Sequence, residues 1–578
     1  MSQGTTAGYD CDVLVIGSGA AGLATAVTAA HHGLKVMVLE KAATLGGTSA
    51  WSGGWLWVPG NPLAVADGQV ELDDAPARYL RDQLHCDTLE PRLSTYLAQG
   101  PEMVAFFQAH TQVRFYSGSH MPDMHAGPGA TQGGRSLCAE PYDGRQLGAW
   151  LSKLREPLDL ISLGGMGIAG GADLAHFLNA TRSPASAWYA TRRLARHAWQ
   201  RLRHGRGTQL VNGNALVARL MRSALDLDVE LRTNAQALAL IKEKGRVQGA
   251  RLANEDVRAR LGVVLAAGGF PHDQARIAER FAFPEHLSAA PATNTGDGLR
   301  LGESAGAHVA EGLSNDAAWA PVSRVPRADG SFSGFAHLMD RAKPGFIAVL
   351  GNGQRFTNEA DSYHDFMNAL FTATAPGSEV RAWLICDHKA QRRYGIGWAR
   401  PFPFPTAPFV RKGYLHKGRT LEALARSCGI DAQGLAATVA RFNRYAIQGQ
   451  DQSFQRGLSP YNKAQGEPLH GPNPSLGPLE HGPFYAVELR PGSLGTFAGL
   501  ETDAEARVLD ERQRPIAGLF AVGNDMSSVM GGHYPSGGIT LGPAMTFGYL
   551  AGKAMAQDAL KAERNASVIP RSSLDGAA

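Results

Sequence analysis

Apolar runs along this chain are short, and most of them stop at glycine. Residues 11–16 (CDVLVI) are almost wholly apolar and end at Gly17. Residues 20–32 are alanine-rich with helical spacing and stop at Gly33, and residues 34–39 (LKVMVL) form a second apolar run that ends on Glu40. A short apolar run bounded by turn residues reads as a buried strand, and a 3.6-residue repeat reads as a helix. Strand, helix, strand in that order predicts a βαβ unit. The same style recurs over 207–270, with a helix near 213–225, strands near 229–232 and 246–252, and an apolar run at 263–267 before Gly268 and Gly269. Residues 301–480 differ, with interspersed aromatics and prolines and mixed patterning. After 481 the strand-and-glycine style returns, with a strand at 519–522 and a helix from about 541. The order predicts an α/β nucleotide-binding domain built from 1–300 and 481–578, around an inserted α+β domain at 301–480. A basic segment near 120–207 fits neither pattern.

Composition narrows the classes. Charged residues are 19% and hydrophobic residues 44%, a globular balance rather than a disordered one. The 69 glycines in 578 residues exceed the usual ~7% but follow no G-X-Y period, so collagen is out. Backbone that closely approaches a large ligand is one use for them. A net charge of +4 over this length does not suggest nucleic acid. The five cysteines, Cys11, Cys86, Cys138, Cys386 and Cys428, form no C-x-x-C pair, and no H-E-x-x-H spacing occurs, so a disulfide framework or metal site is not expected. With no signal-like N-terminus and no run of about 18 apolar residues, a cytoplasmic protein is expected. Residues 182–206 hold seven arginines interleaved with Trp188, Tyr189 and Trp199. Such a basic amphipathic helix can lie on an anionic membrane surface, so a weak peripheral contact is one expectation and a solvated or subunit-facing helix the other.

Gly17-Ser18-Gly19-Ala20-Ala21-Gly22 is G-x-G-x-x-G between a strand and a helix, and Glu40 closes the second strand 18 residues beyond Gly22. Gly17 allows the tight turn, Gly19 lets backbone reach a pyrophosphate, Gly22 lets helix pack on strand, and the helix N-terminus faces the phosphates. Glu40 can accept from a ribose hydroxyl. Lys41 is followed by Gly46, Gly47, Thr48 and Ser49, then Ser52, Gly53 and Gly54. A second glycine stretch directly after the ribose-binding acid suits FAD, whose flavin end would pass beneath it. Ala267, Gly268 and Gly269, then Asn294 and Asp297, then Gly523 and Asn524, and finally Gly538, Ile539 and Leu541 complete the expected cofactor cradle of a Rossmann-like domain.

VLVIGSGAAGLATAV, LEKAATLGGTSAWSGG, NTGDGLRLGESAGA, NGQRFTNE, GLFAVGN and YPSGGITLGPAMTFGY resemble, in order and over most of the chain, the fumarate reductase and 3-ketosteroid dehydrogenase flavoprotein superfamily. The segments 340–366 and 533–548 are similar to the 3-ketosteroid dehydrogenase branch. This resemblance implies a two-domain flavoenzyme with the isoalloxazine at the domain interface. It implies Tyr534 and the Gly538 N–H as donors to a ketone oxygen, and Tyr363 as the base that takes the α-proton. A further family tyrosine supports that base. At its place this chain reads Met121-Pro122-Asp123-Met124-His125, with Met124 at the tyrosine position and Tyr116 or His125 nearby. The succinate-oxidising relatives attach flavin through a histidine near the second glycine stretch; residues 48–52 contain none, so non-covalent FAD is expected.

The leading expectation is a 3-ketosteroid Δ1-dehydrogenase that passes electrons to an external acceptor, since no iron–sulfur or haem motif is present. Ser536, after Tyr534-Pro535, resembles the 4(5α)-dehydrogenases, and Met124 also allows a smaller cyclic ketone. A fumarate reductase-like enoate reductase would rely on Arg341 as its acid. A non-catalytic flavin electron carrier is the remaining class.

Overall fold

The computed structural model describes residues 8–71, 74–281, 283 and 285–568. Its first sheet is built on five parallel strands in the order Pro515–Ala521, Asp256–Leu265, Cys11–Ile16, Val36–Glu40 and Glu230–Thr233. Val13, Leu14 and Val15 are completely buried, as are Val263, Val264 and Leu265. A parallel sheet covered on both faces needs apolar side chains at successive positions, which is why these strands read as unbroken runs rather than alternations. The helix Ala20–His31 follows the first strand and packs along the terminal helix Leu541–Val568. Their backbones approach closely at two glycines: a Cβ on Gly548 would stand 2.6 Å from the Ala21 carbonyl oxygen, and one on Gly552 2.9 Å from that of Thr25.

The second sheet runs Phe332–Ala336, Ala317–Pro326, Phe484–Thr496, Ala382–Cys386, Phe346–Val349 and is antiparallel throughout this path. Its central strand, Phe484–Thr496, begins after the boundary expected at 481, and Leu287–Ser288, before 300, also joins it. The sheet of the inserted region therefore recruits strands from both sides of the insertion. Pairing is a long-range property, and an apolar strand carries no mark of which sheet it will enter. A small third sheet of Trp55–Trp57, Ser136–Ala139 and Phe115–Ser117 stands beside the glycine-rich turns. The basic segment forms the helices Ala172–Asn179 and Pro184–His204. Among the described residues no helix is long and apolar enough to cross a membrane.

Candidate active site

The residues expected to cradle the cofactor gather around the carboxyl ends of the parallel strands. Gly17 has φ +113, and a Cβ there would lie 2.1 Å from the Ala266 carbonyl oxygen. On Gly22 a Cβ would lie 2.1 Å from the Gly17 oxygen. Only glycine fits either place. Gly19 differs: a Cβ there meets nothing nearer than the Ser49 hydroxyl at 3.5 Å, and one on Gly47 meets nothing nearer than Gly19 Cα at 4.0 Å. No side chain caps the helix that opens at Ala20, although the Ala20 N–H donates to Ser49 Oγ at 3.0 Å. An open glycine-walled space at an uncapped helix N-terminus fits a pyrophosphate, because the end N–H groups and the helix dipole both favour an anion. Glu40, buried at the end of its strand, accepts from Ser18 Oγ at 2.6 Å and from the Ala42 N–H at 2.9 Å. These donors aim its carboxylate from the strand end beside the glycine turn.

Other expected cradle residues hold one another. Lys41 Nζ donates to Asp297 Oδ2 at 2.6 Å and to Thr295 Oγ1 at 2.7 Å. Asn294 Nδ2 donates to Thr48 Oγ1 at 3.0 Å and lies across Gly268, whose Cβ would meet that nitrogen at 2.6 Å. The turn carrying Ser52, Gly53 and Gly54 docks on the start of the helix Asn212–Asp226, where the Gly213 N–H donates to the Ser52 carbonyl. A Cβ on Gly54 would meet Gly213 N at 2.5 Å. Ala21 stands against Gly523, whose Cβ would come within 3.0 Å of it, and Asn524 packs on Gly269 and Gly495. Ile539 and Leu541 are buried as that segment enters the terminal helix.

Asp525 was not anticipated. Wholly buried, it accepts from the Ala267 and Gly269 N–H groups, the latter at 2.9 Å, and a Cβ on Gly298 would collide with its carboxylate. One carboxylate thus ties the strand-end turn at 266–269 to the helix Asp297–Ser304. Burial pushes its carboxyl up to about 6, against the pull of its two N–H donors. A lone aspartate after Gly523-Asn524 carries no sequence signal of that role.

Beyond the cradle the turn 534–538 meets the inserted region. The rings of Tyr363 and Tyr534 lie 5.0 Å apart, near edge-on. Tyr363 opens the helix Tyr363–Ala373, whose N-cap Ser362 accepts from the Asp365 N–H. Both phenols are buried. Burial, and then the neighbouring Tyr534, hold the Tyr363 phenol well above its ordinary range, with the buried Arg341 cation pulling the other way. Burial also raises the Tyr534 phenol, partly offset by hydrogen bonding with Tyr363 and Thr540. Gly538 has φ +106, and a Cβ there would stand 2.6 Å from Trp57 N. Its carbonyl accepts from the Trp57 N–H, while no acceptor among the described residues takes its own N–H. A free backbone donor beside a buried phenol is the arrangement that stabilises a developing oxyanion.

Tyr79 and Asp123 support this turn, and the sequence did not single out either as a support. Tyr79 donates its hydroxyl to the Pro535 carbonyl at 2.6 Å. Asp123 accepts from Trp57 Nε1 at 2.8 Å and from Arg135 Nη1 at 2.7 Å. Ser536 Oγ is buried near that carboxylate without a well-formed hydrogen bond. Met124 donates its N–H to the Pro535 carbonyl, and the Met121 methyl would touch a Cβ on Gly537. Tyr116 departs from expectation: it sits on the strand Phe115–Ser117, edge-on to Trp55 and close to Cys138, and makes no ring contact with Tyr363 or Tyr534. The methionines, not Tyr116, flank the 535–538 turn, since a strand tethered to Ser136–Ala139 keeps Tyr116 in the small third sheet. His125 pairs through Nε2 with Asp365, and the His364 ring packs on Tyr534 and Phe497. Arg341 donates to the carbonyls of His337, Glu359 and Asp361 and stacks over Phe366, so its guanidinium is engaged in the core rather than presented as an acid.

The model of the FAD binding domain family matches residues 12–541. The chain is 39% identical over 95% of its length to the 4-oxocyclohex-2-ene-1-carboxylate 5-dehydrogenase of Sinomonas cyclohexanicum, covering 94% of that protein. It is 36% identical over 94% of its length to the 3-oxosteroid 1-dehydrogenase of Mycolicibacterium smegmatis, covering 97% of it. The solved 3-ketosteroid Δ1-dehydrogenase of Sterolibacterium denitrificans, in complex with 1,4-androstadiene-3,17-dione, superimposes with a TM-score of 0.86 at 36% identity, covering 95% of this chain and 99% of that one.

Proposed function

The chain belongs to the FAD binding domain family of flavoproteins, and on that premise we propose that it desaturates a cyclic ketone, with a 3-ketosteroid dehydrogenated at its 1,2-bond as the leading substrate. The observation that carries this reading is the Tyr363–Tyr534 pair beside the unengaged Gly538 N–H. The 17–22 turn, Glu40, the 46–49 stretch, the 267–269 turn and the 523–524 turn would hold FAD without a covalent bond, and the bound cofactor would supply a two-electron acceptor for the β-hydrogen. Tyr534 Oη and the Gly538 N–H hold the ketone oxygen and draw electron density toward it, which acidifies the neighbouring C–H bond. Tyr363 receives the α-proton, and the C–H electron pair becomes the new C=C bond. A phenol of ordinary pKa about 10 is a demanding base, and the buried Arg341 cation beside it eases loss of its proton. The electrons then leave to an external acceptor. Five unpaired cysteines suit a reducing cytoplasm.

A second reading, a small ring ketone such as a 4-oxocyclohexanecarboxylate, is favoured by the methionines crowding Gly537, where a Cβ would lie 2.7 Å from the Met121 methyl and 3.7 Å from that of Met124. Anaerobic flavin bleaching against a panel of 3-ketosteroids, 5α-reduced steroids and 4-oxocyclohexanecarboxylates decides between them. Bleaching by 3-ketosteroids supports the first reading, and by the small rings alone the second. Reoxidation of reduced enzyme by fumarate with no bleaching by any ketone overturns both.

A further inference from the structure

Arg155 stands beside the cofactor cradle with its charge unanswered. Its backbone is stitched to the second glycine stretch. The Leu45 N–H donates to the Lys153 carbonyl at 2.7 Å, the Arg155 N–H to the Leu45 carbonyl at 3.0 Å, and Trp51 Nε1 to the Glu156 carbonyl at 2.9 Å. From the other side Asn214 Nδ2, on the helix Asn212–Asp226, donates to the Arg155 carbonyl at 2.7 Å. The side chain leaves this fixed point and lies over the Trp51 ring, with the guanidinium carbon 5.2 Å from the ring centroid.

Among the described residues no carbonyl or carboxylate accepts from the guanidinium, and its Nε is enclosed without a partner. Enclosing a charged donor without an acceptor costs free energy, so a partner is owed. Neighbouring cations are already engaged: Arg206 caps the carbonyls of Leu151 and Leu154, Arg219 those of Gln112, Glu140 and Pro141, and Lys41 holds Asp297 and Thr295. The carboxylate whose charge acts on Arg155 is Glu40, but Glu40 takes its hydrogen bonds from Ser18 and Ala42. Arg155 thus lies between two parts of the cradle. One is Glu40, the acid expected to accept from a ribose. The other is Trp51, two residues beyond Ser49, whose hydroxyl meets the N-terminus of the helix that opens on Gly19. Residues 17–22 and 46–49 contain no basic side chain. We infer that Arg155 clamps the adenosine-side phosphate of FAD, its guanidinium donating to phosphate oxygen while Trp51 backs the fork. The inference rests on the FAD cradle described above. A planar, permanently charged fork suits a phosphate, and Arg155 adds the side-chain cation that the glycine turns lack.

The test is titration of the flavin-stripped full-length protein with FAD, followed by flavin fluorescence, and with ADP, followed by calorimetry. ADP carries the adenosine-side phosphate without the flavin. Arg155→Met keeps a stem over Trp51 and removes the charge. It should raise the Kd for FAD and for ADP by the same factor, roughly 10- to 100-fold. Arg155→Lys, which keeps the charge without the fork, should recover part of that loss. The stripped Arg155→Met protein should melt no lower than the stripped unaltered protein, because the guanidinium has no partner to lose there. The inference is overturned if Arg155→Met binds both ligands as the unaltered protein does, or if FAD weakens while ADP does not, which would place the residue at the flavin half. It is equally overturned if the stripped variant loses melting temperature in step with affinity, which would make Arg155 a support of the fold. Failure of the unaltered protein to bind FAD at all would overturn the cofactor reading itself, a result distinct from any of these.

Discussion

The Tyr534 ring stands 5.0 Å from that of Tyr363, and the two residues come from segments far apart in the chain, one from the glycine turn before the terminal helix and one from the first turn of Tyr363–Ala373. Neither phenol faces open water, and each perturbs the other. In the proposed reaction these two neighbouring tyrosines handle the substrate oxygen and the α-proton.

Tyr534→Phe removes a donor to the developing oxyanion while leaving the ring to pack on Tyr363, His364 and Phe497. Loss of one such donor costs about 10²–10³-fold. Anaerobic stopped-flow bleaching with the best ketone should slow by that factor, with FAD content unchanged. Unaltered bleaching would remove Tyr534 from the mechanism.

The rate of flavin reduction should rise with pH and reach no plateau below about 10. Burial raises the Tyr363 phenol, so its basic form populates only at high pH. The Tyr534 phenol is raised as well and stays protonated over the same range. A plateau near neutrality would mean that another group takes the proton, and Tyr363→Phe would then leave the profile in place.

Gly538→Ala places a methyl 2.6 Å from Trp57 N at φ +106. Strain of roughly 1–3 kcal/mol is expected, together with displacement of the N–H donor. Thermal unfolding should shift down, and bleaching should fall further than stability alone accounts for. Activity retained alongside lowered stability would show that this N–H does not touch the ketone.

His286 links stability to pH. Its ring packs on Phe281 and Trp319, and burial lowers its pKa to about 4 from 6.5. A depressed folded value means the contribution is present above about 6.5 and is lost as pH falls through 4. The full shift is worth roughly 3 kcal/mol. His286→Phe should therefore flatten the decline in melting temperature between neutral and mildly acid pH. A parallel decline in the variant would assign the acid sensitivity elsewhere, with His364, also lowered to about 4, the next residue to test.

Acid precipitation should leave a colourless pellet and a yellow supernatant, because residues 48–52 offer no histidine for attachment. Colour that stays with the protein would contradict non-covalent FAD.

What could be read from the chain was local. The 11–40 unit appears as a strand, a helix and a strand at Cys11–Ile16, Ala20–His31 and Val36–Glu40, since buried parallel strands and glycine turns write themselves into consecutive residues. Tyr534 and Tyr363 were legible through resemblance, as each sits inside a recognisable run. Tyr79 was not: its hydroxyl reaches Pro535 across 456 residues of sequence, and a lone tyrosine on an ordinary amphipathic helix announces nothing. Tyr116 was misplaced for the complementary reason, since nearness along the chain to Met124 does not bring it to the same wall as the 535–538 turn.

By itself, then, the sequence determined the strand, the glycine turn and the helix that opens on it, because each depends on contacts within a few residues, while the two tyrosines were marked only by resemblance. Only the tertiary structure decided that Phe484–Thr496 centres the second sheet, that Asp525 braces the 266–269 turn, that Arg341 is locked among carbonyls, and which stripe of the arginine-rich helix faces outward. Those outcomes rest on pairing, burial and charge between segments far apart in the chain. The same residue types at the same spacing admit more than one such partner until the whole fold has closed around them.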